Sequence, residues 1–363
     1  MNALTAPISR RGFVGTAAAA VASTALHAPL SSLAQPASPK IKLGIDNFAV
    51  RALKLKGRDI VDYAASLNVD TLFITDLPSL GSLKESDAGE LRRYATDKGV
   101  EILLGSWSIC PTSKTFRKDW GTAEEHLALG LKLSKALGSP VFRVVLGARE
   151  DRRTPGGIEA RIADTVKVLQ SQKALASDLG VKVAVENHAG DMAADELISL
   201  IEAGGKEWVG ANMDSGNAAW TLENPLDSLE KLAPYALTTS LRDSAIWESE
   251  KGCKVQWTAM GDGGVVDLKR YFERYAKLCP HVAVNIETIG GFAIELPYLD
   301  PGFWEAWPKK SAADFASFLA LARRGKAMAQ YDGNDPQKQR DELERSIKYC
   351  RETLGLGVKP AKA

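Results

Sequence analysis

Short apolar runs alternate with helical patterns along most of this chain. The runs occupy residues 41–48, 71–77, 101–108, 141–147, 181–188, 208–214, 236–243 and 282–289. They are rich in Val, Ile and Leu and do not alternate with polar residues, as expected of strands covered on both faces. Residues 59–67, 123–137, 158–179, 195–202 and 266–278 carry the helical period between them. Gly99, Gly138 and Gly180 each stand just before a run, where a left-handed residue ends a helix.

Eight such strand–helix units between residues 41 and 326 predict an α/β chain folded as a (β/α)8 TIM barrel. No Gly-x-Gly-x-x-Gly follows the first run, which removes the main support for a dinucleotide-binding open sheet. Residues 290–310 form an aromatic, proline-containing insertion. Residues 335–355 read as a C-terminal helical extension with apolar Leu343, Ile347 and Leu354. That helix either packs on the barrel exterior or offers a homodimer contact.

Composition narrows the class. The chain has 363 residues, 45% hydrophobic and 25% charged, with a formal net charge of +1. This is globular composition with material for a large core. It lacks the basic stripe of a nucleic-acid binder and the polybasic patch of a membrane-surface protein. The four cysteines, Cys110, Cys253, Cys279 and Cys350, form no CxxC pair and read as buried thiols without a bridge.

Residues 1–34 read as a signal peptide. Ser9-Arg10-Arg11-Gly12-Phe13-Val14 resembles a twin-arginine motif, an Ala-rich stretch follows, and Ser32-Leu33-Ala34 precedes Gln35 as a small-residue cleavage site. The stretch is weaker than the roughly 20 strongly apolar residues of a membrane span. A periplasmic or secreted protein, free of the membrane after cleavage, is expected.

The candidate chemistry lies where the runs end. Val181 onward reads VKVAVENH, with Glu186 and His188; the sixth run ends at Asp214; the eighth carries Glu287. A carboxylate that ends a buried strand is costly to desolvate unless a cation meets it. Residues two apart on a strand share a face, which pairs Glu186 with His188, Asn212 with Asp214, Ser240 with Arg242 and Asn285 with Glu287. Four consecutive strands thus aim polar groups at one place. If a common ion is to be held there, Glu186, Asp214 and Glu287 must meet within about 10 Å. Arg143, inside the fourth run, is expected to brace the site from the barrel interior.

These pieces resemble the xylose isomerase-like TIM-barrel family of sugar isomerases and epimerases. The matching residues are Glu186-Asn187-His188, Asp214-Ser215-Gly216-Asn217, Ser240-Leu241-Arg242-Asp243, Gly261-Asp262-Gly263 and Ile286-Glu287. The resemblance implies a divalent ion (Mn, Mg, Co or Zn) held by Glu186, Asp214 and Glu287, with Glu186 and Glu287 doubling as proton carriers on either side of a carbohydrate. The family's strand-seven His is Ser240 here, a poor ligand beside imidazole. The His that often follows the strand-six Asp is Asn217. The site then takes a hard ion through carboxylates and water, or draws a nitrogen from His188, or balances its charge with Arg242. His188, Asn217, Arg242, Trp107 and Trp257 are the candidate substrate contacts, the tryptophans because aromatic faces pack on sugar C–H surfaces.

The expected chemistry is removal of a C–H proton beside a carbonyl, through an enediolate, giving epimerisation or isomerisation. Two alternatives share the residues. One is a lyase that expels the aglycone from a keto-glycoside; the other is an exported sugar-binding barrel without catalysis. A multi-zinc endonuclease is set aside, because four His and no basic surface cannot supply such a cluster.

Overall fold

A computed structural model describes residues 40–359. The signal-peptide reading of residues 1–34 lies outside the described residues.

Seven short parallel strands come first: β1 (Leu43–Asp46), β2 (Thr71–Ile74), β3 (Glu101–Ser108), β4 (Val141–Val145), β5 (Lys182–Glu186), β6 (Val209–Met213) and β7 (Ala236–Thr239). A hairpin of β8 (Asp243–Ser249) and β9 (Gly252–Thr258) precedes the eighth barrel strand, β10 (Val284–Ile286). Sheet order is β10-β1-β2-β3-β4-β5-β6-β7. The last seam is thin: Leu241 bridges Ile286, its N–H donating to Asn285 O at 2.8 Å, and Glu287 N–H donates to Leu241 O at 2.9 Å. The expected eight-stranded TIM barrel is present.

Sequence explains the close fit of its layers. The Gly44 Cα faces the interior, where a Cβ would lie 1.9 Å from Thr71 Oγ1 and 2.5 Å from Asn285 Oδ1. Outer helices α1 (Arg58–Ser66), α2 (Glu85–Asp97), α3 (Ala123–Leu137), α4 (Gly157–Leu179) and α5 (Ala194–Gly204) follow the first five strands. Helix α3 starts at a capping box, Thr122 with Glu125, and ends at left-handed Gly138, the two devices that satisfy free helix-end groups. On α3, a Cβ at Gly130 would sit 1.9 Å from Phe142 Cζ, so glycine lets the helix close onto β4.

The second half departs from simple repetition. Two helices, α6 (Ser215–Trp220) and α7 (Pro225–Leu232), follow β6, and α8 (Leu268–Leu278) precedes β10. Strand β11 (Ala293–Leu296) pairs antiparallel with β9, making a separate three-stranded sheet, β11-β9-β8. With α9 (Ala312–Ala322) and the 301–306 turn it encloses its own apolar cluster, including Ile246, Val255, Phe303, Trp307 and Phe318. The aromatic insertion is the centre of this cap.

Helix α10 (Pro336–Glu352) lies against neighbouring strands β10 and β1 and the 47–53 segment. Its stripe of Leu343, Ile347 and Cys350 is buried in the barrel's main core. Burying such side chains stabilises by about 1.5–3 kcal/mol each for Leu and Ile. The apolar face that suggested a dimer contact is therefore already covered by this chain's own barrel. All four cysteines are buried and free. Among the described residues no helix is long and apolar enough to cross a membrane.

Candidate functional site

The C-terminal ends of the barrel strands converge on a cavity of about 920 Å³, within the range of small-molecule sites. Aromatic rings of Phe48, Trp107, Phe116, Trp220, Trp257 and Phe292 wall it, and Arg143, His188, Asn217, Arg242 and Glu287 reach it from the barrel. Trp257 stacks on Trp220 at 4.2 Å between centroids, with Phe292 edge-on to both.

Below the cavity floor, Glu186, Asp214 and Glu287 offer carboxylate oxygens that all lie within 4.8 Å of one another. Neighbouring strands hold each in place. Glu186 ends β5, where Oε2 accepts from Arg143 Nε at 2.6 Å and from Asn212 Nδ2 at 2.6 Å, while Oε1 accepts from Asn217 Nδ2 at 3.2 Å. Gly105 leaves room for Arg143, whose Nη1 donates to Ser106 O at 2.9 Å. Burial pushes the Glu186 carboxyl up, but Arg143, His188 and Arg242 together hold it below its ordinary value.

Asp214 caps α6. Its Oδ1 accepts from the N–H groups of Gly216 at 2.8 Å and Asn217 at 2.9 Å, the expected use of an N-cap carboxylate. Asn187 ties the ends of β5 and β6 together, donating to Asp214 O and accepting from Asp214 N–H, both at 2.9 Å. Asp214 Oδ2 accepts from Asn217 Nδ2 at 2.6 Å and from Arg242 Nη2. The same Nη2 donates to Glu287 Oε2. Burial drives Asp214 up to about 7 against the pull of Arg242. Burial, with Asp46, Glu186 and Asp214 nearby, drives Glu287 well above the carboxylate range, also against Arg242.

The remaining candidates fall into two groups. His188 Nδ1 lies 2.6 Å from Gly147 O, so Nδ1–H donates and Nε2 is left as an acceptor. Burial pushes this imidazole down to about 4, so it is neutral near pH 7. Trp107 meets it edge-on at 5.3 Å and anchors its own Nε1–H on Thr115 O. Ser240 is turned away from the three carboxylates: its hydroxyl donates to Asp46 Oδ2 at 3.1 Å and accepts from Asn212 Nδ2 at 3.2 Å.

Sequence reasoning missed Asp46, buried at the end of β1 and pushed up to about 6 by desolvation. It also missed the cavity walls Phe48, Arg51, Trp220 and Phe292. Asp46 carries the same mark as the others, an acid closing an apolar run. Phe292 comes with the cap, whose folding the barrel pattern does not encode, while Phe48 and Arg51 lie in the 47–53 segment and Trp220 ends α6.

The residues fit a divalent cation. Four buried carboxylates, Asp46, Glu186, Asp214 and Glu287, face two buried guanidiniums, Arg143 and Arg242, which leaves surplus negative charge at low dielectric. The triad Glu186, Asp214 and Glu287 could hold a metal; all-oxygen donors suit a hard ion.

Residues 61–290 match the family model described as a xylose isomerase-like TIM barrel. None of the curated proteins matches the chain in sequence. Among solved structures, a xylose isomerase domain protein from Planctomyces limnophilus is 19% identical, covering 69% of this chain and 91% of its own, with a TM-score of 0.53. D-psicose 3-epimerase with D-tagatose, from Clostridium cellulolyticum H10, is 14% identical over 86% of this chain and 99% of its own, with a TM-score of 0.58. A zinc-bound IOLI protein is 14% identical over 84% and 99%, with a TM-score of 0.54.

Proposed function

The chain belongs to the xylose isomerase-like TIM barrel family, and from that premise we propose that it is a carbohydrate isomerase or epimerase working by carboxylate-mediated proton transfer. One observation carries this reading: Glu186 and Glu287, from the fifth and eighth barrel strands, meet with Asp214 at the base of an aromatic-walled cavity. A similar epimerase structure with D-tagatose and a similar protein with a bound zinc support a sugar substrate and a divalent cofactor. Mn, Mg, Co or Zn would be held by Glu186, Asp214 and Glu287. Held there, it would supply polarisation of a substrate carbonyl, and with it a more acidic neighbouring C–H.

The chain's own groups divide the work. Glu287 lines the cavity, and burial raises its carboxyl well above the ordinary carboxylate range, the direction a proton carrier needs. Glu186, locked by Arg143, Asn212 and Asn217, serves as a fixed anion and ligand, and takes the second proton role only if substrate loosens these bonds. Neutral His188 accepts a hydroxyl proton through Nε2 and orients the sugar. Trp107 and Trp257 cover C–H faces and exclude water.

The test is exchange of substrate C–H for deuterium. D-tagatose, D-fructose and a panel of further ketoses are incubated in D2O with Mg²⁺ and followed by NMR. Wild type is expected to exchange one C–H beside the carbonyl, and Glu287→Gln to lose exchange by roughly 10² or more. A folded, ion-loaded protein that exchanges no ketose, yet releases aglycone from keto-glycosides, is a lyase instead. A protein that does neither and binds sugar unchanged in Glu186→Gln is a non-catalytic binder.

A further inference from the structure

Arg242 meets two of the three clustered carboxylates. Its Nη2 bonds both Asp214 Oδ2 and Glu287 Oε2, while Ser240 faces Asp46. Its placement is supported from three sides. Ser215 Oγ donates to Arg242 O at 2.5 Å and accepts from Arg242 N–H at 3.1 Å. Its stem lies on Gly216, where a Cβ would fall 2.5 Å from Arg242 Cγ. Its guanidinium lies 4.4 Å from the Trp257 ring centroid. The Nε and Nη1 groups are buried without a hydrogen-bond partner.

We propose that Arg242 is a resident cation that competes with the divalent ion for Asp214 and Glu287. Asp214 Oδ1 accepts from two backbone N–H groups, and Oδ2 accepts from Asn217 Nδ2 at 2.6 Å and from Arg242 Nη2, so of the four donors around this carboxylate only Arg242 is charged. An ion drawn to Asp214 and Glu287 meets that guanidinium on both carboxylates, where like charges repel at low dielectric. Ion entry therefore moves Arg242 off the triad into the cavity that it already lines. There its fork, including the two unpartnered nitrogens, meets substrate oxygens. Loading the ion and presenting Arg242 to the sugar become one event, and in the ion-free protein Arg242 offsets part of the charge on Asp214 and Glu287. The inference rests on reading the triad as a cation centre, as in the proposed function.

Calorimetric titration of Mg²⁺ into wild type and Arg242→Met tests it. Met keeps a stem against Gly216 and Trp257 but removes the competing charge. The variant is expected to bind Mg²⁺ at least about tenfold more tightly, a difference of about 1.4 kcal/mol; binding by the variant alone counts the same way. Equal or weaker binding, or none by either protein, overturns the proposal. A second readout covers a variant that does not fold. Mg²⁺ should change wild-type tryptophan emission as the guanidinium leaves Trp257, and Trp257→Phe should abolish that change. Emission that does not respond to saturating Mg²⁺ overturns the proposal as well. Both readouts are independent of turnover, so failed C–H exchange would sink the isomerase reading and leave this one standing, and the reverse.

Discussion

Arg143→Met removes the one cation bonded directly to Glu186. Arg143 is 3% exposed and Glu186 0%, so water screens little of the loss. The change deletes the 2.6 Å ion pair and the 2.9 Å bond to Ser106 O. Breaking one partner of a buried pair costs about 3–5 kcal/mol. Glu186 keeps Asn212 and Asn217, which places the expected loss near the lower end, about 3 kcal/mol. Urea unfolding at pH 7 of wild type, Arg143→Met, Glu186→Gln and the double variant supplies the assay. The double variant should recover at least about 2 kcal/mol of the summed single losses, because neither charge is then stranded. In Arg143→Met the uncompensated Glu186 carboxyl shifts up, so its folded form binds protons more readily than its unfolded form. The deficit against wild type should therefore be largest near neutrality and shrink as pH falls through the variant's raised Glu186 range, and further through wild type's lowered one. A single-variant loss under about 1 kcal/mol, or strict additivity in the double, would refute the reasoning.

Two further outcomes follow from the same burial. Asp46 and Asp243 are raised from 3.8 to about 6 and about 7 mainly by desolvation; the folded state binds their protons more tightly, so stability of the ion-free protein should fall as pH rises from about 4 to about 7, and urea midpoints that rise steadily across that window would contradict this. Ending the chain at Gly333 removes α10 and uncovers the core around Leu343 and Ile347; two such side chains are worth about 3–6 kcal/mol, so the shortened protein should lose cooperative thermal unfolding, and an unchanged melting temperature would contradict the packing.

The barrel was legible because buried parallel strands carry a near-continuous apolar signature, and each predicted run contains its strand. The carboxylate triad was legible for a related reason: an acid that ends such a run needs a partner. Applied to the first run, that argument also finds Asp46. The cap was not legible. Residues 236–243 read as one strand, yet β7 stops at Thr239 and Asp243 begins the hairpin. The turn signal Glu250-Lys251-Gly252 between two β-rich segments marks this hairpin, but barrel periodicity absorbed the first segment. The orientation of Ser240 was also beyond a two-residue period, since the chain between β7 and β8 meets β10 only at Leu241.

The cap sheet shares no hydrogen-bonded ladder with the barrel sheet, and its apolar cluster is separate from the main core. Such units loosen independently and at lower free energy than the whole. The molecule can therefore breathe at its roof while its staves stay paired. Amide protons of β9 and β11 should trade with solvent sooner than those of β4 and β5, and the cavity wall can open without disturbing the acids at its base.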